Sequence, residues 1–181
     1  MKKAIFLDRD GTINVEVEYL HEAEQLVFIE GVPQALARLK KMGYKLIVVS
    51  NQSGIGRGYY DESAVEELHK NMNALLVEQE AEIDAFYYCP HLESDNCSCR
   101  KPKTGLIEQA VADWDIILEQ SYMLGDKESD VLTAIKAGCG YGLVLSGHLV
   151  SEEVQERYKG HIYTDLMDFV QCLGDADEMA K

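Results

Sequence analysis

The chain alternates between short continuous apolar runs and longer stretches in which apolar residues recur every three or four positions. Continuous runs are typical of buried strands, whereas the three-to-four spacing is typical of amphipathic helices. The predicted strands are 4–7, 45–50, 85–88, 122–124, 141–145 and 162–163. The predicted helices are 31–42, 61–76, 104–114, 129–137 and 166–173.

Polar and glycine residues mark the ends of several predicted helices. Asp61 and Thr104 are candidate N-caps, and Gly43 stops the first helix. Strands separated by helices of this length predict right-handed βαβ units and a parallel sheet that helices cover on both faces. We therefore expect an α/β fold with a doubly wound parallel sheet, forming one domain over 1–181 with a polar tail at about 174–181.

Composition and charge narrow the classes of function. Hydrophobic residues make up 46% of 181 residues, which is typical of a globular protein. No apolar run approaches the roughly 18–20 residues that span a bilayer, and Asp8 interrupts the first run too early for a signal peptide. We expect a cytoplasmic monomer. The net charge of −15 argues against nucleic acid and anionic membranes as partners.

An anionic small-molecule substrate would need local cations in so acidic a chain. Arg100, Lys101 and Lys103 form one such concentration. Further cations accompany the other polar segments, namely Arg9, Arg57 and Lys127.

The first predicted strand ends abruptly in the segment Asp8-Arg9-Asp10-Gly11-Thr12. Ligands of open α/β sheets bind at the carboxyl ends of the strands. Two carboxylates there can hold a hard cation such as Mg²⁺, and one can attack phosphorus while the other handles a proton. An N-cap or turn cluster explains the same residues equally well when they are taken alone.

Three further polar segments follow predicted strands or precede helices. Ser50-Asn51-Gln52-Ser53 can bind phosphate oxygens or form an ordinary polar turn. Asp126 and Asp130 can complete a cation site or simply complement a helix dipole. Lys101 can neutralise a phosphoryl group or belong to a solvated basic turn.

Three of five cysteines lie close together with a histidine between them. The spacing Cys89-x-His91-x5-Cys97-x-Cys99 supplies four ligands that suit tetrahedral Zn²⁺. Because all four positions are protein ligands, we expect a structural site that stiffens the loop 89–99. Unliganded buried cysteines are the alternative. We expect Cys139 and Cys172 in the core.

In order and spacing, these segments resemble the four signature motifs of the haloacid dehalogenase-like (HAD) phosphohydrolases. The stretches DRDGTIN, EYLHE, FIEGV, KKMGY, NQSGIGRG, YYCPH, CRKPK and YMLGDK are similar to the branch that acts on heptose bisphosphates. The resemblance implies a HAD-like Rossmannoid fold with no separate cap domain and a zinc-stapled loop. Loops near 15–25 and 53–60, together with the zinc loop, would then enclose the site.

The resemblance also implies roles for individual residues. Asp8 matches the nucleophile, and Asp10 matches the general acid/base. Mg²⁺ would be held by Asp8, by the main-chain carbonyl of Asp10 and by Asp126, with Lys127 beside it and Asp130 supporting the site from behind. The residues implied to bind phosphate or substrate are Glu16, Tyr19, Ser50, Asn51, Gln52, Ser53, Arg57, Arg100 and Lys101.

The reaction implied is removal of the 7-phosphate of D-glycero-D-manno-heptose 1,7-bisphosphate through an aspartyl-phosphate. This reaction belongs to the synthesis of nucleotide-activated heptose for lipopolysaccharide core or related glycans. The short zinc loop and Thr104-Gly105 after the basic segment also resemble the related histidinol-phosphate phosphatases. Two alternatives outside enzymes are a phospho-accepting receiver domain and a zinc-stapled binding module, which leaves the aspartates unexplained.

Overall fold

A single six-stranded parallel sheet organises the protein, for which a computed structural model describes residues 1–179. The strands are β1 (Ala4–Leu7), β2 (Lys45–Asn51), β3 (Ala85–Cys89), β4 (Tyr122–Gly125), β5 (Gly140–Val144) and β6 (Ile162–Tyr163). Their order in the sheet is β3-β2-β1-β4-β5-β6, and every neighbouring pair is parallel. This topology confirms the doubly wound parallel sheet that the sequence predicts.

Helices lie between the strands and cover both faces of the sheet. They are α1 (Val32–Lys41), α2 (Ser53–Gly56), α3 (Glu62–Val77), α4 (Gly105–Trp114), α5 (Glu128–Ala137), α6 (Glu152–Arg157) and α7 (Leu166–Met179). Among the described residues, no helix combines the length and the apolar character needed to cross a membrane.

The alternation of side chains along β1 divides the core into two layers. Ile5 and Leu7 pack in one buried cluster with residues of α1, α3 and α7. Ala4 and Phe6 pack in the opposite cluster with residues of α4 and α5. A strand buried on both faces explains why β1 appears in the sequence as a continuous apolar run.

Most predicted elements agree with the structure to within one or two residues. Asp61 caps α3 as expected, because its side chain accepts a hydrogen bond of 3.0 Å from the Ala64 amide. Thr104 occupies the N-cap position of α4 as predicted, but its side chain does not cap the helix. Its hydroxyl instead donates to Glu108 Oε1 at 2.5 Å, and the side chain makes no capping bond.

The C-terminal part of the chain departs further from the predictions. Helix α7 continues from Leu166 to Met179, so most of the tail predicted at 174–181 is helical, while 180–181 lie outside the described residues. Cys139 is buried as expected, but Cys172 is exposed. It lies on α7, whose Leu166, Phe169 and Val170 are the positions that reach the core.

Candidate active site

The sheet order changes direction between β1 and β4, which places their carboxyl ends on either side of a crevice. Asp8 follows β1 and Asp126 ends up beside it after β4, since the Asp8 amide donates to the Leu124 carbonyl at 2.9 Å. Gly11 allows the close approach of the two loops. Its φ is +78°, and a Cβ there would lie 2.3 Å from Asp126 Oδ2. The crevice is where open α/β sheets bind ligands.

Lys101 forms ion pairs with two buried carboxylates at this edge. Its Nζ lies 2.9 Å from Asp8 Oδ1 and 2.6 Å from Asp130 Oδ1. Burial would lower the pKa of Lys101, but the carboxylates of Asp130 and Asp8 raise that pKa above its usual value. The ammonium is therefore charged at neutral pH and lies against the carboxylate that the sequence identifies as the nucleophile.

Asp130 is fully buried between this lysine and the neighbouring acids. Burial is the largest effect on its pKa. Burial and the Asp8 carboxylate together raise this pKa to about 7, against the opposing effect of Lys101. The other oxygen, Oδ2, accepts a hydrogen bond of 3.1 Å from the Lys127 amide at the start of α5. Asp130 thus fixes both the lysine ammonium and the loop that carries Lys127.

Three carboxylates converge in a way that fits a divalent cation. One oxygen from each of Asp8, Asp126 and Asp130 lies within 4.8 Å of the others. Asp126 Oδ2 accepts two hydrogen bonds from His148, at 2.8 Å from its amide and 2.6 Å from Nδ1. Asp126 Oδ1 is buried and has no hydrogen-bond partner among the described residues. A buried carboxylate oxygen without a donor is costly unless a cation occupies that position, and oxygen ligands suit Mg²⁺.

Asp10 lies beside this cluster, and several hydrogen-bond donors surround its carboxylate. Its side chain accepts hydrogen bonds from Arg9, from Asn14 at 3.0 Å and from Gln52 at 3.2 Å. Burial raises the pKa of Asp10, but the Arg9 guanidinium and these hydrogen bonds outweigh it and lower the pKa below its usual value. These contacts fix the orientation of the Asp10 carboxyl group and favour its carboxylate form before substrate binds.

The carboxyl end of β2 and the residues that follow it support the site and line it in part. Asn51 Oδ1 accepts a bond of 3.0 Å from the Lys101 amide, while Nδ2 donates to the Lys101 carbonyl at 3.2 Å. Gln52 Nε2 donates to Ser50 Oγ at 2.6 Å. Asn51, Gln52 and Ser53 line the cavity, whereas Ser50 is buried and does not. Tyr60 also lines it, and burial together with the Asp10 charge raises the pKa of this phenol despite Arg9.

These groups border one open cavity of about 790 Å³. It is lined by Asp8, Asp10, Glu16, Glu18, Tyr19, Asn51, Gln52, Ser53, Tyr60, Glu93, Asn96, Cys97, Arg100, Lys101, Pro102, Lys103, Lys127, Ser129 and Lys136. Most of the residues that the sequence identifies as site candidates are therefore brought together. The cations around the rim offset the acidic charge of the chain locally.

Three other predicted site residues, Glu16, Tyr19 and Arg57, contact residues other than Asp8, Asp10 and Lys101. Glu16 faces His148, with Oε2 3.7 Å from Nδ1, and burial together with the Asp10 charge raises its pKa. Tyr19 packs edge-on against Tyr59 at 4.8 Å between ring centres. Arg57 is exposed, lies 6.0 Å from the Tyr19 ring and does not line the cavity.

The four predicted zinc ligands form one cluster at the cavity's edge. Cys99 Sγ lies 3.0 Å from Cys89 Sγ, 3.4 Å from Cys97 Sγ and 3.2 Å from His91 Nδ1. Tetrahedral Zn²⁺ with Zn–S of about 2.3 Å places its sulfur ligands roughly 3.7 Å apart, so the cluster fits such an ion. Burial raises the pKa of Cys97, but hydrogen bonds with Cys99, the Arg100 backbone and Cys89 lower it to about 6, which favours thiolate.

The same loop positions the basic residues that follow it. Arg100 Nη1 donates to the His91 carbonyl at 3.2 Å. Lys103 Nζ donates to the Cys97 carbonyl at 2.6 Å and to Asn96 Oδ1 at 2.7 Å. Both side chains line the cavity, so the loop geometry decides where two of its cations lie.

Four residues near the site carry no signal in the sequence that singles them out for these contacts. Arg9 is fully buried rather than a surface cation, and His69 of α3 lies against it at 3.4 Å. Asn14 bonds Asp10, and His148 bonds Asp126 from a loop 22 residues away in sequence. Only the placement of Arg9 between two aspartates could have suggested a role.

Comparison with known proteins gives consistent results along the whole chain. Residues 98–169 match the family model described as HAD-hyrolase-like. The D-glycero-beta-D-manno-heptose-1,7-bisphosphate 7-phosphatase of Haemophilus ducreyi is 42% identical over 93% of this chain and 97% of that protein. The Escherichia coli K12 protein of the same name is 40% identical over 98% of this chain and 97% of its own.

A solved structure shares the fold closely. The D,D-heptose 1,7-bisphosphate phosphatase of B. bronchiseptica, complexed with magnesium and phosphate, has a TM-score of 0.86 and 29% sequence identity. The match covers 96% of this chain and 99% of that one. The HAD-like fold that the sequence predicts is thereby confirmed.

Proposed function

Because the chain belongs to the D-glycero-beta-D-manno-heptose-1,7-bisphosphate 7-phosphatase family of HAD-like hydrolases, we propose that its cavity removes the 7-phosphate of that heptose bisphosphate. The protein is a phosphoric monoester hydrolase, not a receiver domain. One observation carries the site assignment. The nucleophile candidate Asp8, the base candidate Asp10 and the charged Lys101 border the same cavity, and Lys101 Nζ lies 2.9 Å from Asp8.

Asp8 is the nucleophile in this proposal. Its Oδ1 accepts the Arg9 amide at 2.9 Å and faces Lys101, while no described residue donates a hydrogen bond to Oδ2. An oxygen of Asp8 attacks phosphorus, a P–O bond to Asp8 forms, and the bond to the sugar oxygen breaks. Lys101 offsets the charge on the transferring phosphoryl group, and Ser50 supports Gln52 in the wall beside it.

Asp10 moves the protons in both half-reactions. In its protonated form it gives the proton to the departing sugar oxygen, and as a carboxylate it then takes a proton from water. That water attacks the aspartyl-phosphate, releases inorganic phosphate and restores Asp8. The network of Arg9, Asn14 and Gln52 keeps the Asp10 carboxylate oriented between the two steps.

Two metal ions fit the chain's own ligand sets. Asp8, the Asp10 main-chain carbonyl and Asp126 would hold Mg²⁺, with Lys127 next to it. When bound, the ion offsets the repulsion between a carboxylate and a phosphate dianion. Zn²⁺ would be held by the cluster of Cys89, His91, Cys97 and Cys99 and would stiffen the loop.

The substrate carries two phosphates, and the rim supplies more than one group of cations. Lys101 serves the reacting phosphoryl group, and Arg100 can bind the distal phosphate as a bidentate fork through Nε and Nη2 while its Nη1 donates to the His91 carbonyl. Glu16, Tyr19, Asn51, Ser53 and Arg57 are proposed to contact or enclose the sugar. The reaction would take place in the cytoplasm, in a monomer, and would supply nucleotide-activated heptose for lipopolysaccharide core or related glycans.

The test is a comparison of kcat/KM for the heptose 1,7-bisphosphate anomers, histidinol phosphate and fructose bisphosphate, with and without added Mg²⁺. ³¹P NMR of the heptose product should show that the 1-phosphate remains. Asp8→Asn should abolish turnover while the unfolding transition persists, because an amide does not attack phosphorus. A higher kcat/KM on histidinol phosphate would overturn the substrate assignment, and near-normal kcat in Asp8→Asn would overturn the nucleophile.

A further inference from the structure

Arg9 is a fully buried cation in the wall of the active site. A buried guanidinium is costly unless its N–H groups and its charge are matched. Nη2 lies 2.9 Å from Asp10 Oδ2, 3.0 Å from the Leu20 carbonyl and 3.3 Å from Gln52 Oε1, and Nε lies 3.2 Å from Asp10 Oδ1. The fork thus contacts both oxygens of Asp10, and the orientation of that carboxylate depends on the orientation of the guanidinium.

The remaining nitrogen of the guanidinium, Nη1, faces α3. Its only hydrogen-bond partner within residues 1–179 is His69 Nε2, at 3.4 Å. A guanidinium can only donate, so this ring nitrogen accepts and the imidazole is neutral. Burial and the adjacent Arg9 charge both lower the pKa of His69, to about 3, which is consistent with a neutral ring at neutral pH.

The position of His69 is itself fixed by packing. The residue is 5% exposed, and its ring stacks on Phe86 with 4.4 Å between ring centres and 16° between ring planes. Tyr88 approaches the same ring edge-on at 5.8 Å. His69 is therefore an acceptor that β3 and α3 hold against Arg9, and it does not line the cavity.

We propose that His69 is a positioning residue for Asp10: by accepting from Nη1, it holds the Arg9 fork in the plane in which both Asp10 oxygens are bonded. This inference deepens the proposed function, since it depends on Asp10 as the general acid/base. Without the acceptor, the guanidinium rotates to find another partner for Nη1. The Asp10 carboxyl then loses the alignment needed to pass its proton to the departing oxygen.

Leaving groups of different basicity separate this role from a merely structural one. An alkoxide leaving group needs the proton of Asp10 as the P–O bond breaks, whereas p-nitrophenolate leaves without it. The parameter kcat/KM reports the steps up to release of the leaving group and excludes the later hydrolysis of the aspartyl-phosphate. A defect in Asp10 alignment therefore lowers kcat/KM for a sugar phosphate much more than for p-nitrophenyl phosphate.

The experiment compares His69→Phe, His69→Gln and Asp10→Asn on a primary alkyl phosphate that the wild type hydrolyses and on p-nitrophenyl phosphate. Phe keeps the ring that stacks on Phe86 but removes the acceptor, and Gln keeps an acceptor oxygen. We expect His69→Phe to lose roughly 10-fold or more on the alkyl phosphate, a part of the 10²–10⁴ that general acids contribute, and to change little on the aryl ester. His69→Gln should recover most of the loss. His69→Leu replaces His69→Phe if the latter does not fold.

Asp10→Asn identifies which assignment fails. It should show the same selectivity for the alkyl phosphate, and adding His69→Phe to it should cause no further selective loss, because both act on one step. If Asp10→Asn is selective but His69→Phe affects both substrates equally or neither, the positioning role is wrong and the proposed function stands. If Asp10→Asn itself shows no selectivity, both the acid/base assignment and the positioning role are overturned.

Discussion

The side-chain amide of Asn51 forms two hydrogen bonds with the backbone of Lys101, 50 residues later in the chain. Asn51 Oδ1 accepts from the Lys101 amide at 3.0 Å, and Nδ2 donates to its carbonyl at 3.2 Å. The two residues belong to separate polar segments of the sequence, one at the end of β2 and one after the cysteine-containing loop 89–99. The two bonds fix the position of the Lys101 main chain, and this position determines where Lys101 Nζ contacts Asp8.

Asn51→Leu tests this relationship because it keeps the side-chain size and removes both hydrogen bonds. We expect kcat to fall by roughly 10–100-fold and the free energy of unfolding to fall by about 1–3 kcal/mol, the cost of leaving polar groups without partners. Asn51→Asp keeps the acceptor for the Lys101 amide but repels the Lys101 carbonyl. Its kcat and free energy of unfolding should lie between those of the wild type and those of Asn51→Leu. Steady-state kinetics and urea unfolding measure both effects. Unchanged kcat in Asn51→Leu would show that Lys101 is placed without this contact.

The elements that form the centre of the fold are predictable because local signals agree with the tertiary structure. Strand β1 combines a continuous apolar run with an abrupt polar end, and helix α3 combines a helical period of apolar residues with an N-cap. Helices α2 and α6 are not predicted. They span four and six residues, too short to show a helical period, and tertiary contacts decide such short helices.

The candidate site divides in the same way. Asp8, Asp10 and Lys101 follow from the order of polar segments along the chain. The roles of Arg9 and His148 cannot be predicted in this way. No sequence signal shows that the Arg9 side chain is buried, or that the loop carrying His148 reaches Asp126. Arg9 meets its partners in the loop after β1, in the residues after β2 and on α3, and His148 meets Asp126 where the loops after β4 and β5 approach each other.

The cysteine and histidine cluster predicts a measurable metal content. Freshly prepared, unchelated protein should contain about one Zn²⁺ per chain by elemental analysis. Cys97→Ser should lose most of this zinc and lower kcat/KM, because Arg100 and Lys103 are bonded to the loop through the His91 and Cys97 carbonyls. Cys172→Ser is the matched control, since that thiol is exposed and outside the cluster. Full activity in zinc-free Cys97→Ser protein would contradict the positional role of the loop.

Stability should depend on pH through His69. Its pKa is lowered from 6.5 to about 3 in the folded protein by burial and by Arg9, so the unfolded chain binds a proton that the folded protein does not. This contribution to stability is complete above about pH 6.5 and is lost as the pH falls toward 3. Between pH 7 and pH 5 we expect a loss of about 2 kcal/mol.

The measurement is the free energy of unfolding in urea at several pH values between 7 and 5. His69→Phe cannot titrate and should show a pH dependence about 2 kcal/mol shallower over this range. His161→Gln removes an exposed imidazole that lies outside the Arg9 network and serves as the control for losing a histidine. An equal slope in wild type and His69→Phe would mean that His69 takes up its proton as readily in the folded protein as in the unfolded chain, so its ring would not be held neutral by Arg9.

Arg100 should decide between a bisphosphate and a monophosphate substrate. The side chain lines the cavity next to Lys101, and its Nη1 is held by the His91 carbonyl at 3.2 Å, so the guanidinium is oriented before substrate binds. A bisphosphate needs one cation at the reacting phosphoryl group and another at the distal phosphate. Histidinol phosphate carries a cationic amine in place of that second phosphate and would gain nothing from Arg100.

Arg100→Ala should therefore raise KM for heptose 1,7-bisphosphate by roughly 10–100-fold, which corresponds to a charged hydrogen bond of about 1.5–3 kcal/mol. The KM for a heptose monophosphate that lacks the distal phosphate should change much less. Arg100→Lys should recover only part of the loss, because an ammonium keeps the charge but lacks the planar fork that binds phosphate bidentately. Arg38→Ala is the matched control, since that exposed guanidinium on α1 lies outside the cavity lining and has no proposed role in the site. If KM rises equally for the bisphosphate and the monophosphate, Arg100 contacts the reacting phosphoryl group, and the distal phosphate is bound elsewhere on the rim.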